Sequence, residues 1–407
     1  MTAPLSGIKV LDLSRILAGP WSTQLLSDLG AEVIKVERPA GGDDTRGWGP
    51  PFLAREDGSP TTESAYFLSA NRGKRSLTVD ISTAEGQGVL RELAMTTDVF
   101  VENYKLGDMK RYGLDYATLS EANPGLVYCS ITGFGQTGPY SQRAGYDFVI
   151  QAMGGLMSIT GQSDDQPGGG AQKCGVPISD LMTGMYASVA IVSALFERTR
   201  SGQGQYIDMS LLDTQVAWLA NQASNYLVSG TTPKRWGNAH PNLAPYQAFA
   251  ASDGELIVAV GNDRQFASLC RVLGAANLAD DERYATNARR LSQRATLIAA
   301  LSELFAKAGK SHWLDELEKA GVPCGPIQSI PEALADAQVL ARGMVFSLPH
   351  ASGATAPQIA NPIKFSRTGV QYRRAPPMLG EHTDEILASE LGWSVARIAA
   401  SKQQGTV

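Results

Sequence analysis

The sequence predicts an α/β fold built as two domains, and three observations carry the prediction. Its first 37 residues run strand, helix, strand. Further short apolar runs then alternate with helical stretches as far as residue 225. Composition changes over SGTTPKRWGNAHPNLAP, residues 229–245, where the chain becomes irregular and polar. These features place one domain over residues 1–225 and 330–407 and a smaller one over 226–329.

The elements follow in order. IKVLDLS, residues 8–14, is an apolar run of the kind found in a buried parallel strand. Pro20 suits the first turn of a helix reaching residue 29, which Gly30 ends. AEVIKVE, residues 31–37, is the second strand, and no GxGxxG joins the two, which argues against a nicotinamide or flavin site. Residues 38–64 read as a long Gly/Pro-rich loop. Within it Arg46 can bind an anion and Trp48 can pack an acyl group, unless the loop is merely solvated and Trp48 anchors it.

Strands are expected at 77–81, 99–102 and 126–132, with a helix over 84–94. GFGQTGP, residues 133–139, is a turn whose backbone can approach a ligand closely or simply a tight turn. Residues 181–196 are almost wholly apolar or small and predict a helix buried on most of its surface. A strand over 206–209 and a helix over 211–227 close the first domain. A β pair at 246–250 and 255–260, helices at 290–308 and 311–320, strands and Pro-rich turns over 331–371 and a helical tail after residue 383 complete the chain.

Composition narrows the function. The 407 residues are 43% hydrophobic and 18% charged, with a net charge of −5 and no basic cluster dense enough for nucleic acid. No unbroken apolar run reaches membrane-spanning length, and MTAPLSGIKVLDLS enters a strand too early for a signal peptide. Cys129, Cys174, Cys270 and Cys324 form no CxxC pair, which argues against zinc or a disulfide framework and for a cytoplasmic setting.

The stretch that organises the chain is GVPISDLMTG, residues 175–184. Pro177 fixes a backbone angle, and Ser179 and Asp180 are both N-cap types. Asp180 is either a cap or a carboxylate nucleophile at a helix start, and its own chemistry leaves the two open. Cys174 nearby has no sequence-local His to activate it.

Read together, LAGPWSTQLLSDLGAEVIKVERP, GDDTRGWGPPF, NRGKRSLTVDI, VFVENY, SITGFGQTGP, GVPISDLMTG and APPMLGEHTDEIL resemble the class III coenzyme A transferases over nearly the whole chain. GDDTRGWGPPF and KRWGNAHPNLAPYQAF point within that class to the type that uses succinyl-CoA with glutarate or hydroxymethylglutarate. The resemblance implies a Rossmann-like large domain, an interlocked ring homodimer, and no metal or permanently bound cofactor. It places the nucleophile on Asp180. It places coenzyme A contacts on Leu17, Ala18, Arg38, Val79, Asp80, Ile81, Ser82, Asn103, Tyr104, Arg111, Thr132, Gly133, Phe134 and Gly135. For the distal carboxylate of a dicarboxylic acid the candidates are Arg46, Arg72 and Arg235, with His240 as a further donor and Trp48 against the acyl chain.

Two departures bear on substrate. Oxalate-using relatives carry Gln where this chain has Leu17, and their run of four glycines is replaced by residues 237–241, GNAHP. A sister group that racemises acyl-CoA esters carries RAG-His-Asp, which here reads Arg143-Ala144-Gly145-Tyr146-Asp147, with a phenol too weak to serve as the base. The alternatives are therefore a racemase using Asp180 as general base, a transferase for oxalate, carnitine or mesaconate, and a coenzyme A-binding regulator without activity.

Overall fold

A computed structural model describes residues 2–407. Six parallel strands form the central sheet: β1 (Lys9–Asp12), β2 (Glu32–Glu37), β3 (Arg75–Thr78), β4 (Val99–Glu102), β5 (Val127–Thr132) and β6 (Tyr206–Ser210). Their order across the sheet is β3-β2-β1-β4-β5-β6, with Leu11 paired to Ile34 on one side and Phe100 on the other. This is the doubly wound order, and it reverses between β1 and β4. The inner strands β2, β1, β4 and β5 are buried on both faces, which is why they read as largely apolar runs rather than alternating ones, whereas the edge strand β6 alternates between exposed and half-buried residues. One core packs Leu11, Leu77 and Phe100 against the helix Ala84–Ala94; the other packs Val10, Val33 and Val101 against Ile191 and Leu195.

Five helices position the site: α1 (Ala18–Asp28), α2 (Ala65–Ala70), α3 (Ala84–Ala94), α4 (Asp147–Met153) and α5 (Ile178–Ser201). Three expectations change. The loop over 38–64 contains a 3-10 turn, Asp44–Gly47, and a hairpin pairing Phe52–Ala54 with Pro60–Ser64. The helix expected over 211–227 is broken into Leu211–Ala217 and Ala220–Ser229, with Ala220 at φ 44° opening the second. And α5, although long and apolar enough by composition to cross a membrane, is less than half buried over that stretch. Its small-residue face, with Gly184, Ala187 and Ser188, is buried, while Val189 is 61% and Phe196 65% exposed.

Contacts divide the chain into two units. The first comprises residues 1–156, 174–229 and 337–407, and the second residues 157–173 and 230–336. Residues 157–173 thus belong with the second unit, a membership the sequence pattern did not offer. Within the second unit Cys324–Pro326, Gly254–Ala259 and Tyr246–Ala251 form an antiparallel sheet over a core containing Phe249, Phe305 and Trp313.

Candidate active site

The site lies beyond the carboxyl ends of β1 and β4, where strand order reverses and a crevice opens in folds of this kind. A pocket of ≈ 160 Å³ there is lined by Ile16, Ala18, Asn103, Tyr104, Gly133 and Asp180, among others. Asp180 is not the cap of α5. The helix begins at Ile178 after Pro177, so Asp180 is its third residue. Capping is done from outside: Asp147 at the start of α4 accepts the Ser179 N–H at 2.8 Å, and the Ser179 hydroxyl donates to Gln215 at 2.7 Å. The Asp180 carboxylate is thereby left to the pocket.

Burial pushes the Asp180 carboxyl up to about 7, with the neighbouring Asp147 carboxylate adding to the rise. Tyr66 on α2 faces the same charges: burial first, then Asp180 and Asp147, push its phenol up to about 12. Trp48 meets Tyr66 edge-on at 5.1 Å, so the two rings pack as a pair.

The pocket floor is the turn from β1 into α1. Ile16 holds φ 71°, a left-handed conformation that a β-branched residue adopts only under constraint. The constraint is visible. Both Asp43 oxygens accept the Ile16 N–H at 3.2 Å, and the Asn103 amide holds Arg15 by its N–H at 2.9 Å and its carbonyl at 2.8 Å. Beneath lie Lys35, which donates to Asp43 at 2.8 Å and to the Ser14 carbonyl at 2.9 Å, and Lys74, which donates to Asp12 at 3.1 Å. All four of these charged side chains are fully buried. On the far wall Gly133 and Gly145 meet backbone to backbone, and a Cβ on either would lie 2.5 Å from the other's Cα. Gly135 turns the chain at φ 79°, its N–H donating to Thr132 at 2.9 Å, while Phe134 is buried in the core.

A second cavity of ≈ 210 Å³ shares Arg15 and Tyr104 with the first and is lined by Arg38, Ile81 and Tyr112. Of the other expected contacts, Leu17 and Val79 are buried, Asp80 accepts the Ser82 N–H at 2.9 Å, and Arg111 is exposed beside Asp108 at 3.2 Å. Arg38 donates to Asp44 at 2.8 Å and remains more than half exposed.

Two of the arginines expected to hold a substrate carboxylate are committed elsewhere. Arg46 is buried, forks onto Glu37 at 2.7 and 2.9 Å, reaches Glu63 at 3.1 Å and covers the Phe67 ring. Arg72 is buried and forks onto Asp28 at 2.8 and 2.7 Å. Both therefore staple the fold, and neither presents a free fork to a ligand. Arg235 and His240 lie in the second unit: Arg235 pairs with Asp164 and donates to the Gln162 carbonyl at 3.2 Å, and the His240 ring accepts the Asn242 N–H at 3.0 Å. The cations that line the Asp180 pocket are Arg15, Lys105 and Arg143. Arg143 stacks over Tyr140 and Phe134 and makes no ion pair among the described residues. Sequence reasoning did not single out Arg143 as lining the pocket or Asp147 as the partner of Ser179, although both stand in RAG-Tyr-Asp; Tyr66 carries no motif that could have marked it.

Cys174 does not line the pocket, and no His does. Among the described residues no group of three or more His, Cys, Asp or Glu side chains is arranged to hold a metal.

Comparison with known proteins decides the family. The sequence model of CoA-transferase family III matches residues 5–383. The chain belongs to that family. It is a class III CoA-transferase, and its substrates are coenzyme A thioesters. It is 51% identical to the succinate–glutarate CoA-transferase of Agrobacterium fabrum over 95% of each chain. It is 45% identical to the succinyl-CoA:glutarate CoA-transferase of Homo sapiens over 99% of this chain and 90% of that one. A CAIB/BAIF family protein from Brucella suis, 51% identical, superposes with a TM-score of 0.84 over 96% of this chain and all of that one.

Proposed function

We propose that this CoA-transferase moves coenzyme A from succinyl-CoA to glutarate through covalent chemistry on Asp180. The observation that carries the reading is a carboxylate that makes no ion pair among the described residues, set in the pocket at the strand-order reversal; the names of the relatives above support the two acids. An Asp180 oxygen attacks the thioester carbonyl carbon, the C–S bond breaks, and a mixed anhydride and the thiolate result. The thiolate then attacks the Asp180 carbonyl carbon and expels succinate, leaving an aspartyl-CoA thioester. Glutarate attacks that thioester to give a second anhydride, and the thiolate takes up the glutaryl group and frees Asp180. One thioester replaces another, so the cycle balances with no net proton or nucleotide. The N–H groups of Ala18 and Gly19, in the first turn of α1, supply positive potential where the oxyanion forms.

Coenzyme A would lie across both cavities, with its adenine among Arg38, Ile81 and Tyr104, its phosphates near Arg38 and Arg111, and its thiol end toward Leu17, Ala18 and Gly133. The Thr132–Gly135 turn and the strand end carrying Val79, Asp80 and Ser82 would supply its backbone contacts. Asn103 would act through its grip on Arg15. The exposed apolar side chains of α5, with Leu227 and Val228 of the helix Ala220–Ser229, support a second copy of the chain as their cover, in an interlocked homodimer.

For the distal carboxylate the geometry favours Arg143 over Arg46. Its guanidinium borders the same pocket as Asp180 and has no carboxylate of its own. Arg143→Met is expected to lower kcat/KM for glutarate by about 10–100-fold, the range of a charged hydrogen bond at 1.5–3 kcal/mol. The rate with butyrate, which lacks the second charge, should change little. Equal losses with both acids would place Arg143 on coenzyme A instead.

The nucleophile must be ionised. With Asp180 near 7, kcat/KM should rise as pH rises through about 7 and level off above it. Asp147 and Tyr66 are the titratable groups facing it. Glu102 on β4 also lies near 7 because of burial, so Glu102→Gln is the control and should keep the inflection. A flat profile from pH 5.5 to 8.5 would remove the pKa argument.

A further inference from the structure

We propose that Gly184 is a positioning residue: its missing side chain lets α5 close onto the start of α1 and so sets where Asp180 stands relative to the Ala18 and Gly19 N–H groups. The inference rests on Asp180 being the nucleophile. Gly184 is one helical turn beyond Asp180 and therefore on the same face of α5. A Cβ at this position would lie 2.6 Å from the Ala18 carbonyl oxygen and 3.1 and 3.2 Å from two carbons of Trp21. The first of these is backbone, which no rotamer change can relieve, so one of the two helices must move.

The start of α1 is the side that cannot yield. Ile16, two residues before Ala18, is held in its left-handed conformation by Asp43, and Arg15 is held at both backbone atoms by Asn103. Helix α5 is pinned too, but one turn further on: the Ser188 hydroxyl meets the Ser22 hydroxyl at 3.0 Å and the Gly184 carbonyl at 3.0 Å. A methyl group at Gly184 would thus lever the N-terminal end of α5 outward about the Ser22–Ser188 contact, straining the Asp147 and Gln215 hydrogen bonds to Ser179, and Asp180 sits on that end. The required shift is about 1 Å, since a carbon meets its neighbours at about 3.5 Å and this one would stand at 2.6 Å.

Misplacing a reacting group by about 1 Å costs on the order of 10²-fold in rate. Gly184→Ala is accordingly expected to lower kcat by about 10–100-fold, while the Kd for coenzyme A, which the proposed function places on the start of α1 and on the segments that follow β2, β3, β4 and β5, stays within about 3-fold. Gly88→Ala is the control: Gly88 also stands within a helix, α3, but a Cβ there meets nothing within 4 Å, so that variant should turn over normally. Asp180→Ala is assayed alongside. A Gly184→Ala enzyme with unchanged kcat overturns the inference. So does one that fails to fold, or that loses coenzyme A binding in step with turnover, because Gly184 would then merely support the helix pair. If Asp180→Ala itself remains active, the nucleophile assignment has failed, and that result is read separately from the Gly184 comparison.

Discussion

Asp180→Asn should lose about 10⁴-fold or more of CoA transfer while keeping its fold. Removing a nucleophile costs far more than removing a positioning contact, because no neighbour can make the bond that it makes. Here no substitute is near: Cys174 and the histidines stand outside the pocket lining, and Asp147 is occupied by the Ser179 N–H and the Gln151 amide. Incubation of the wild type with succinyl-CoA should place a coenzyme A adduct on the peptide containing Asp180, and the Asn variant should show none. The same substitution has a stability signature. An Asp carboxyl titrates near 3.8 when unhindered and near 7 in this fold, so the folded state disfavours its charge. Wild-type stability from this group is present below about pH 4 and is lost as pH rises through 7. The Asn variant has nothing to ionise. It should melt higher than the wild type at pH 8 and equally at pH 4. Near-normal turnover by the variant would remove Asp180 from the mechanism.

How much of this was legible in the sequence depends on which force fixed each part. The sheet was legible because its inner strands are buried on both faces and read as mainly apolar runs, VLDL, EVIKVE and VFVE, in spite of the charges at Asp12 and Lys35. The helix start at Asp180 was legible because a Pro, two capping-type residues and an apolar run signal it in local sequence, while the nucleophile role came from the family resemblance alone. The environment of Asp180 was not legible, since the cap comes from Asp147 and the neighbouring ring from Tyr66, both remote in the chain. The arginines show the limit most clearly. In sequence Arg46 and Arg72 look like Arg143: a cation beside glycine, aromatic or polar residues. What separates them is where their carboxylates are, and Glu37, Glu63 and Asp28 reach their partners only through the folded chain. The exposed face of α5 was missed for a related reason. An apolar helix reads as buried whether its cover is the same chain or another.

Asp43→Ala should destabilise the first unit by about 3–5 kcal/mol, the cost of stranding one partner of a buried ion pair. Against a total of roughly 5–15 kcal/mol for a folded domain this is large. Asp43 is the shared partner of four groups: the Lys35 ammonium, the Ile16 N–H, and the N–H and hydroxyl of Thr45. Burial pushes its carboxyl up, but Lys35 and the hydrogen bonds from Lys35 and Thr45 outweigh that and hold it down at about 2. Its stabilising contribution is therefore present above about pH 4 and fades as pH falls toward 2, and the Ala variant should lose that part of the acid limb. The decisive measurement is the urea midpoint of the single variant against Lys35→Met/Asp43→Leu. An apolar pair of similar volume strands neither partner of this ion pair and leaves Asp12 matched by Lys74, so the double variant should regain most of the stability. It should not regain activity, because nothing then holds Ile16 in its left-handed conformation beneath Asp180. A single variant within 1 kcal/mol of the wild type would show that Lys35 finds other compensation, and a double variant with full turnover would show that Ile16 needs no clamp.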